Sequence, residues 1–341
     1  MENQPSQLPR LATGLVGSFV AAGMLLWLLA RSGGAMPEAA FLARVVAGTK
    51  AVGEQLSSLN PLYILPLLLC EVVVQLAKGL KWTAILRTAH PVRYSSALRG
   101  VVIGAAATHL VPLRLDEVIR TGVVARREKI APGLVFGTVI VDRIAEVLIL
   151  GVVLAGLAIV SSGLPQTFVH AAWALGGGAV LVLVGCFLLV RWRDSVLSSL
   201  PTSPRWQRLG KAISSLTLGL RSLPRGRNLG LLVAGAVFEW TATVAFYLLI
   251  LHMAAIHAAP GLSVLLALGN TVSYALPNLP AALGVFEVVQ GSMLEAVASL
   301  DPATAAALAL SAHALLMFPV TLAGLILGFF EWRSVGRAEE C

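Results

Sequence analysis

Residues 108–120 read THLVPLRLDEVIR and place four charged side chains within seven positions, Arg114, Asp116, Glu117 and Arg120. The apolar segment before them, residues 96–111, is about 16 residues long and is stopped by Pro112. A bilayer crossing needs roughly 20 residues. Non-helical backbone at membrane depth must be buried in protein or line a cavity. The stretch therefore predicts a re-entrant or broken helix.

A second stretch, residues 270–287 (NTVSYALPNLPAALGVFE), has the same organisation in the C-terminal half. The apolar segment 262–276 has about 15 residues, and Pro277 and Pro280 interrupt it before a helix restarts near Gly284. Two interrupted short segments in corresponding halves indicate an inverted repeat with a binding site between the halves.

The composition predicts an all-α polytopic membrane protein. Of 341 residues, 57% are hydrophobic and 12% are charged, whereas soluble domains carry about 25% charged residues. We expect a single transmembrane domain over residues 1–341, with about six crossing helices and two re-entrant or broken ones. The net charge of +8 comes from Lys and Arg in loops beside the spans, which is a topogenic signal. Nucleic acid is not an expected partner.

The six crossings are predicted at residues 11–30, 62–86, 133–160, 171–190, 229–251 and 303–330. A basic loop, residues 191–228, separates the first half (1–190) from the second (229–341). Its excess of Arg places it in the cytoplasm together with both termini. Residues 38–56 are predicted to form an amphipathic helix on the membrane surface, and a helix from about 283 to 300 is expected before the last crossing.

The first charged cluster is Arg114, Glu117 and Arg120. In a helix that restarts after Pro112, these residues are spaced i, i+3, i+6 and share one face. Two guanidinium groups could hold a lipid phosphate bidentately, while the carboxylate tunes the charge of the pocket. The alternative is that these charges mark a cytoplasmic loop and a helix start.

The second cluster, Asp142, Arg143 and Glu146, begins about ten residues into a continuous span. Ionisable groups at this depth cost about 2.5–3.5 kcal/mol each on insertion scales and are candidates for function. A headgroup-binding role and an ion pair that holds the span against its neighbours both stay open.

The third cluster is Pro277, Pro280, Gly284 and Glu287. A helix that starts in mid-membrane presents free backbone N–H groups and the positive end of its dipole, which suits an anion. The alternative is that Glu287 caps this helix start itself.

No catalytic, metal or cofactor site is predicted. GxSxG, HExxH, P-loop and GxGxxG motifs are missing from the sequence, and no Cys/His/Asp spacing is typical of a metal site. Catalysis is therefore the weaker class of function.

Together the clusters resemble a known family. P-x-R-x-x-E-x-x-R begins at Pro112, Asp142-Arg143 follows, and P-x-x-P-x-x-x-G-x-F-E runs from Pro277 to Glu287. This order resembles the flippase-like integral membrane family, also called the lysylphosphatidylglycerol synthase transmembrane region family, over nearly the whole chain. The chain differs from the family pattern in four places. Asp116 replaces a usual Gly, and Asp142 precedes Arg143 with Glu146 after it, the reverse of the usual Glu-then-Asp. Ala281-Ala282 replace a Gly pair, and His313 stands where Arg is common.

The resemblance implies a lipid flippase or transporter that moves an anionic or polar-headgroup lipid across the bacterial cytoplasmic (inner) membrane. The paired guanidinium groups of the first cluster favour a headgroup that carries phosphate. We expect a stand-alone member without the soluble aminoacyltransferase domain that some relatives carry. Two alternatives stay open. One is a membrane-embedded transferase that acts on a lipid-linked sugar or phosphate. The other is a non-transporting partner of a complex that synthesises glycolipid, hopanoid or aminoacyl-lipid. The oligomeric state is left open.

Overall fold

The computed structural model describes residues 23, 26–31, 41–111, 115–160, 224–257, 260–275 and 280–339, with scattered positions between 177 and 217. All regular secondary structure in these ranges is helical. The predicted crossings at 11–30 and 171–190 lie largely outside the described residues.

Nine α-helices are described with continuous bounds: α1 Phe41–Ser58, α2 Ile64–Ala89, α3 Tyr94–Leu110, α4 Asp116–Glu128, α5 Pro132–Val160, α6 Arg227–Met253, α7 Pro260–Ala275, α8 Val285–Ala298 and α9 Pro302–Glu339. Short 3-10 turns, Pro61–Tyr63 and Pro280–Ala282, precede α2 and α8. Three segments in the described ranges are long and apolar enough to cross a membrane, Pro61–Ala89, Arg227–Met253 and Pro302–Arg333. The predicted all-α polytopic membrane protein is confirmed.

Both predicted interruptions are present. Helix α3 has 17 residues and α7 has 16, so each is about 24–26 Å long at 1.5 Å per residue, short of a hydrocarbon core of about 30 Å. The chain resumes helical structure at Asp116 after α3 and at Val285 after α7. The lengths of the two apolar segments and the positions of the prolines that follow them therefore predicted where these helices end.

The described chain falls into two compact units. The first comprises the described residues within 1–71, 106–115 and 243–322, and the second comprises those within 72–105, 116–242 and 323–341. In the first unit α7 packs against α8. Gln290 of α8 links the two helices, because its Nε2 donates to the Leu266 carbonyl of α7 at 3.0 Å.

An apolar core holds the second unit together. Trp82 is fully buried at its centre, and its indole N–H donates to Thr138 Oγ1 of α5 at 3.2 Å. Further buried residues of this core come from α2 to α5 and the turn after α2: Ile85, Leu86, Val92, Ala97, Val101, Val124, Ala125, Val135, Val139 and Val141. Helix α4 also packs along α5. This packing brings the charged residues of both helices together.

Gly235 allows α6 to approach α2 closely. A Cβ atom at this position would lie 3.0 Å from the Ala77 carbonyl oxygen and 3.0 Å from the Lys81 backbone nitrogen. Both atoms belong to the backbone, so no rotamer change could make room for it. In contrast, a Cβ atom at Gly230 of the same helix would meet nothing within 4 Å.

We therefore predict that Gly235→Ala destabilises the protein by about 1–3 kcal/mol through overpacking. Gly230→Ala serves as the matched control. It should leave stability unchanged or raise it slightly, because Ala is the better helix former by roughly 0.5–1 kcal/mol. Thermal unfolding in detergent, followed by tryptophan fluorescence, measures both. Equal midpoints for the two variants would contradict the close approach at Gly235.

Candidate functional site: a buried charge network

Eight ionisable side chains from four helices meet within the second unit, and we call them the charge network: Lys81, Asp116, Glu117, Arg120, Asp142, Arg143, Glu146 and Glu239. Helices α2 and α6 contribute one residue each, and α4 and α5 contribute three each. Five members had been predicted as site residues from the sequence.

Lys81 joins three helices. Its side chain is 2% exposed, and its Nζ lies 3.0 Å from Glu146 Oε1 of α5 and 2.9 Å from Glu239 Oε2 of α6. Asp142 Oδ1 lies 3.9 Å away. An ammonium buried this deeply stays charged only because carboxylates compensate the lost hydration.

Arg120 is also held within the unit. Its Nη2 donates to Asp142 Oδ2 at 2.8 Å, and its guanidinium carbon lies 4.4 Å from the centre of the Trp82 ring. Both charged side chains are buried. The Arg120 Nε has no hydrogen-bond partner. Trp82 therefore contributes a cation–π contact to an arginine that is fixed by its carboxylate.

Arg143 is the accessible cation of the network. Its Nε donates to Glu117 Oε1 at 2.9 Å, its Nη1 pairs with Glu146, and its Nη2 lies 3.6 Å from Asp116 Oδ2. Its side chain is nevertheless 37% exposed. A guanidinium with several carboxylate partners and an open side can exchange one partner for another anion without becoming unpaired.

The carboxylates of the network outnumber its cations by two. Asp116 Oδ1 and Asp142 Oδ1 are buried and have no hydrogen-bond donor. The network therefore carries more carboxylate than cation, and Arg143 is its one cation with a partly exposed side chain.

In the first unit, Glu287 lies in the first turn of α8. Its Oε2 accepts the Gly284 backbone N–H at 2.7 Å, and its Oε1 lies 2.6 Å from His313 Nδ1 of α9. The predicted capping contact is therefore present. It occupies one carboxylate oxygen and leaves the other for His313.

The backbone that leads into this turn is left-handed at two alanines. Ala281 and Ala282 have φ angles of 60° and 54°, followed by Gly284 at 80°. Non-glycine residues pay roughly 1–2 kcal/mol for this conformation. Both alanines are buried, so packing holds them in place and sets where α8 begins.

Arg114 and Pro277 lie outside the described residues, and Pro280 begins the 3-10 turn before α8. Within the described ranges, no three His, Cys, Asp or Glu side chains could hold a metal ion together.

A profile of the lysylphosphatidylglycerol synthase transmembrane region matches residues 14–324. The chain belongs to this family. No curated protein and no solved structure matches it. The matched range includes every described member of the charge network, as well as Glu287 and His313.

Three members of the network in this lysylphosphatidylglycerol synthase transmembrane region protein were not predicted as site residues, namely Asp116, Lys81 and Glu239. In the sequence, Lys81 is one of several basic residues that indicate the cytoplasmic end of the span at 62–86. Glu239 is a single carboxylate within the span at 229–251, for which a structural role was the favoured interpretation. The available signal for Lys81 was its position well inside α2, eight residues before the helix ends at Ala89. Its partners lie 65 and 158 residues away in sequence, so no local pattern could identify them.

We predict that Lys81→Met destabilises this family member by about 3–5 kcal/mol, because Glu146 and Glu239 would lose a shared buried counter-charge. Adding Glu239→Gln should recover part of the loss, since it removes one of the uncompensated carboxylates. Thermal unfolding of the single and double variants gives the coupling between the two sites. Strictly additive losses would show that the pair does not act as a unit.

Proposed function

We propose that the protein translocates a lipid with an anionic or otherwise polar headgroup across the cytoplasmic membrane, and that Arg143 contacts the headgroup phosphate. The observation that carries this proposal is the partial exposure of Arg143 within a network whose other two cations are buried. Membership of a family named for the transmembrane region of a lipid-modifying enzyme supports the lipid as the substrate class.

The free energy needed to place these charges within membrane-crossing helices supports a functional role for the network. Charged groups within membrane-crossing helices are expensive and are retained mainly along pathways for substrates or ions. A purely structural contact between helices could be made by apolar side chains at a lower desolvation cost. The network instead pairs three cations with five carboxylates.

The pairing suggests how a headgroup could bind. A phosphate that approaches the open side of Arg143 can replace Glu117 or Glu146 as the acceptor of its guanidinium N–H groups. The released carboxylate then faces water. Because Arg143 exchanges one anionic partner for another, the step avoids leaving a bare cation in an apolar environment. Lys81 and Arg120 keep the surrounding carboxylates in position.

The first unit offers a surface that suits lipid tails. A cavity there has a volume of about 520 Å³. Its lining comes from α1, α2, α6, α9 and the connection between α1 and α2, and it is mostly apolar: Leu56, Leu59, Pro61, Ile64, Met253, Leu310, Ser311, Ala314 and Leu315. A space with this lining accepts hydrocarbon and offers one hydroxyl, that of Ser311. It is therefore compatible with an acyl chain.

The test is lipid translocation in reconstituted vesicles. Purified protein is incorporated into vesicles with a trace of phosphatidylglycerol labelled on one acyl chain, and a membrane-impermeant quencher measures transfer between leaflets. We expect the wild type to accelerate transfer over protein-free vesicles. Arg143→Gln should slow it roughly tenfold or more, since a hydrogen bond to a charged group contributes about 1.5–3 kcal/mol.

Arg93→Gln is the matched control for this experiment. Arg93 also forms an ion pair, with Glu128 at 3.4 Å, but its side chain is 70% exposed and lies outside the network. Its variant should transfer lipid at the wild-type rate. A folded Arg143→Gln protein with the same rate as the Arg93→Gln protein would overturn the assignment of Arg143. Conversion of the lipid by pure protein would favour the transferase alternative.

A further inference from the structure

Two arginines of the second unit share one carboxylate oxygen near the end of α9. Arg99 Nη1 of α3 lies 2.9 Å from Glu331 Oε1, and Arg127 Nη1 of α4 lies 2.5 Å from the same oxygen. None of these three residues belongs to the charge network. We call Arg99, Arg127 and Glu331 the α9-end cluster.

The carboxylate of the cluster is more covered than its cations. The Glu331 side chain is 14% exposed, whereas the side chains of Arg99 and Arg127 are 37% and 25% exposed. Arg127 is also oriented by Ser96, a fully buried residue whose hydroxyl accepts from its Nε at 3.4 Å. Both guanidinium groups are therefore held towards Glu331 and still reach the surface of the protein.

The helix ends that carry the cluster have an excess of positive charge. Residues 96–99, 126–129 and 331–333 contain five cations and two carboxylates. One of these carboxylates, Glu128, is paired with Arg93 at 3.4 Å. Glu331 is the counter-charge that two guanidinium groups share, so the cluster has a net charge of one positive unit. One further anion would neutralise it.

The guanidinium groups retain donors for such an anion. Each guanidinium carries five N–H groups. In the contacts of the described residues, Arg99 uses one of them and Arg127 uses two. The shared Glu331 oxygen shows that both groups can hold one oxyanion at the same time. A phosphate beside that oxygen offers several acceptors, and arginine binds phosphate in a bidentate manner.

The cluster lies at the end of a membrane-crossing segment. Pro302–Arg333 is long and apolar enough to cross a membrane and ends two residues after Glu331. The neighbouring Phe330 and Trp332 are 57% and 73% exposed. Exposed aromatic residues at the end of a crossing helix are typical of the membrane–water interface, and basic pockets between such helices bind anionic headgroups. The anion that suits this position is therefore a lipid phosphate.

We propose that Arg99 and Arg127 bind the phosphate of an anionic phospholipid of the surrounding bilayer. This lipid is a resident partner that links the end of α9 to α3 and α4, and it is a different molecule from the lipid transported at Arg143. A zwitterionic phospholipid carries the same phosphate without a net charge, so the positive excess of the helix ends selects an anionic one. The inference does not rest on the proposed function and holds equally for a protein that translocates nothing.

The experiment counts the lipids bound to the full-length protein by native mass spectrometry. Protein in detergent is titrated with phosphatidylglycerol or with phosphatidylcholine of the same acyl chains. We expect the wild type to retain a phosphatidylglycerol molecule in preference to phosphatidylcholine. In the double variant Arg99→Gln/Arg127→Gln, the affinity for that molecule should fall roughly tenfold or more, because charge-assisted hydrogen bonds are lost.

Glu331→Gln tests the same site in the opposite direction. It keeps an acceptor oxygen between the two arginines and removes the negative charge that competes with phosphate. Phosphatidylglycerol should therefore bind more tightly to this variant than to the wild type. A cluster that serves only to join helices would not gain affinity for lipid. This measurement also keeps the inference testable if the double variant does not fold.

Two controls define the site. Arg227→Gln removes an exposed cation from the start of α6 in the same unit, and it should bind phosphatidylglycerol as the wild type does. Arg143→Gln removes the residue assigned to the transported headgroup. Adding the double variant to it should lower phosphatidylglycerol binding by the same factor as in the wild type, since the two sites share no residue.

The outcomes separate this inference from translocation. Unchanged phosphatidylglycerol binding in the double variant overturns the inference, as does an equal loss in Arg227→Gln or no gain in Glu331→Gln. Displacement of the bound lipid by an equal concentration of inorganic phosphate would also overturn it and assign the cluster to a soluble anion. The expected binding pattern without lipid transfer in vesicles overturns translocation alone and supports the resident lipid.

Discussion

The pairing of one buried ammonium with carboxylates on two other helices is the constraint on which the second unit depends. Lys81 cannot remain charged in this environment unless Glu146 and Glu239 stay within about 3 Å. Helices α2, α5 and α6 must therefore meet at one level. Gly235 permits this by letting the α6 backbone lie against that of α2 at Lys81 itself. Close packing and charge pairing are thus two aspects of one contact.

This constraint divides the cations of the network by role. Lys81 and Arg120 are buried and have carboxylate partners, so either could leave its site only by exposing a charge to an apolar interior. Arg143 has partners on α4 and α5 and an open side. In the headgroup exchange that we propose, the two buried cations would keep the carboxylates in place and Arg143 would change partner.

Much of the helical organisation could be predicted from local sequence. Apolar length placed α5 at residues 133–160, against the observed Pro132–Val160, and short apolar segments followed by prolines located both broken helices. Side-chain pairing could not be predicted in the same way. Asp142 and Glu146 are neighbours on one helix turn, yet Lys81, the cation that joins them to α6, comes from a distant part of the sequence. Only packing decides which of several basic residues fills that position.

The break before α8 shows a second limit of sequence reasoning and a physical reason for it. Ala281 and Ala282 stand where the family pattern has a Gly pair, and both adopt the left-handed conformation that glycine favours. Their strain of about 1–2 kcal/mol each must be offset by burial. Their conformation determines where Gly284 and Glu287 lie, and Glu287 in turn orients His313. His313 itself lies on α9, 26 residues beyond Glu287 in sequence, and meets it only through packing. The left-handed turn thus sets, through Glu287, the orientation of a ring on a different helix.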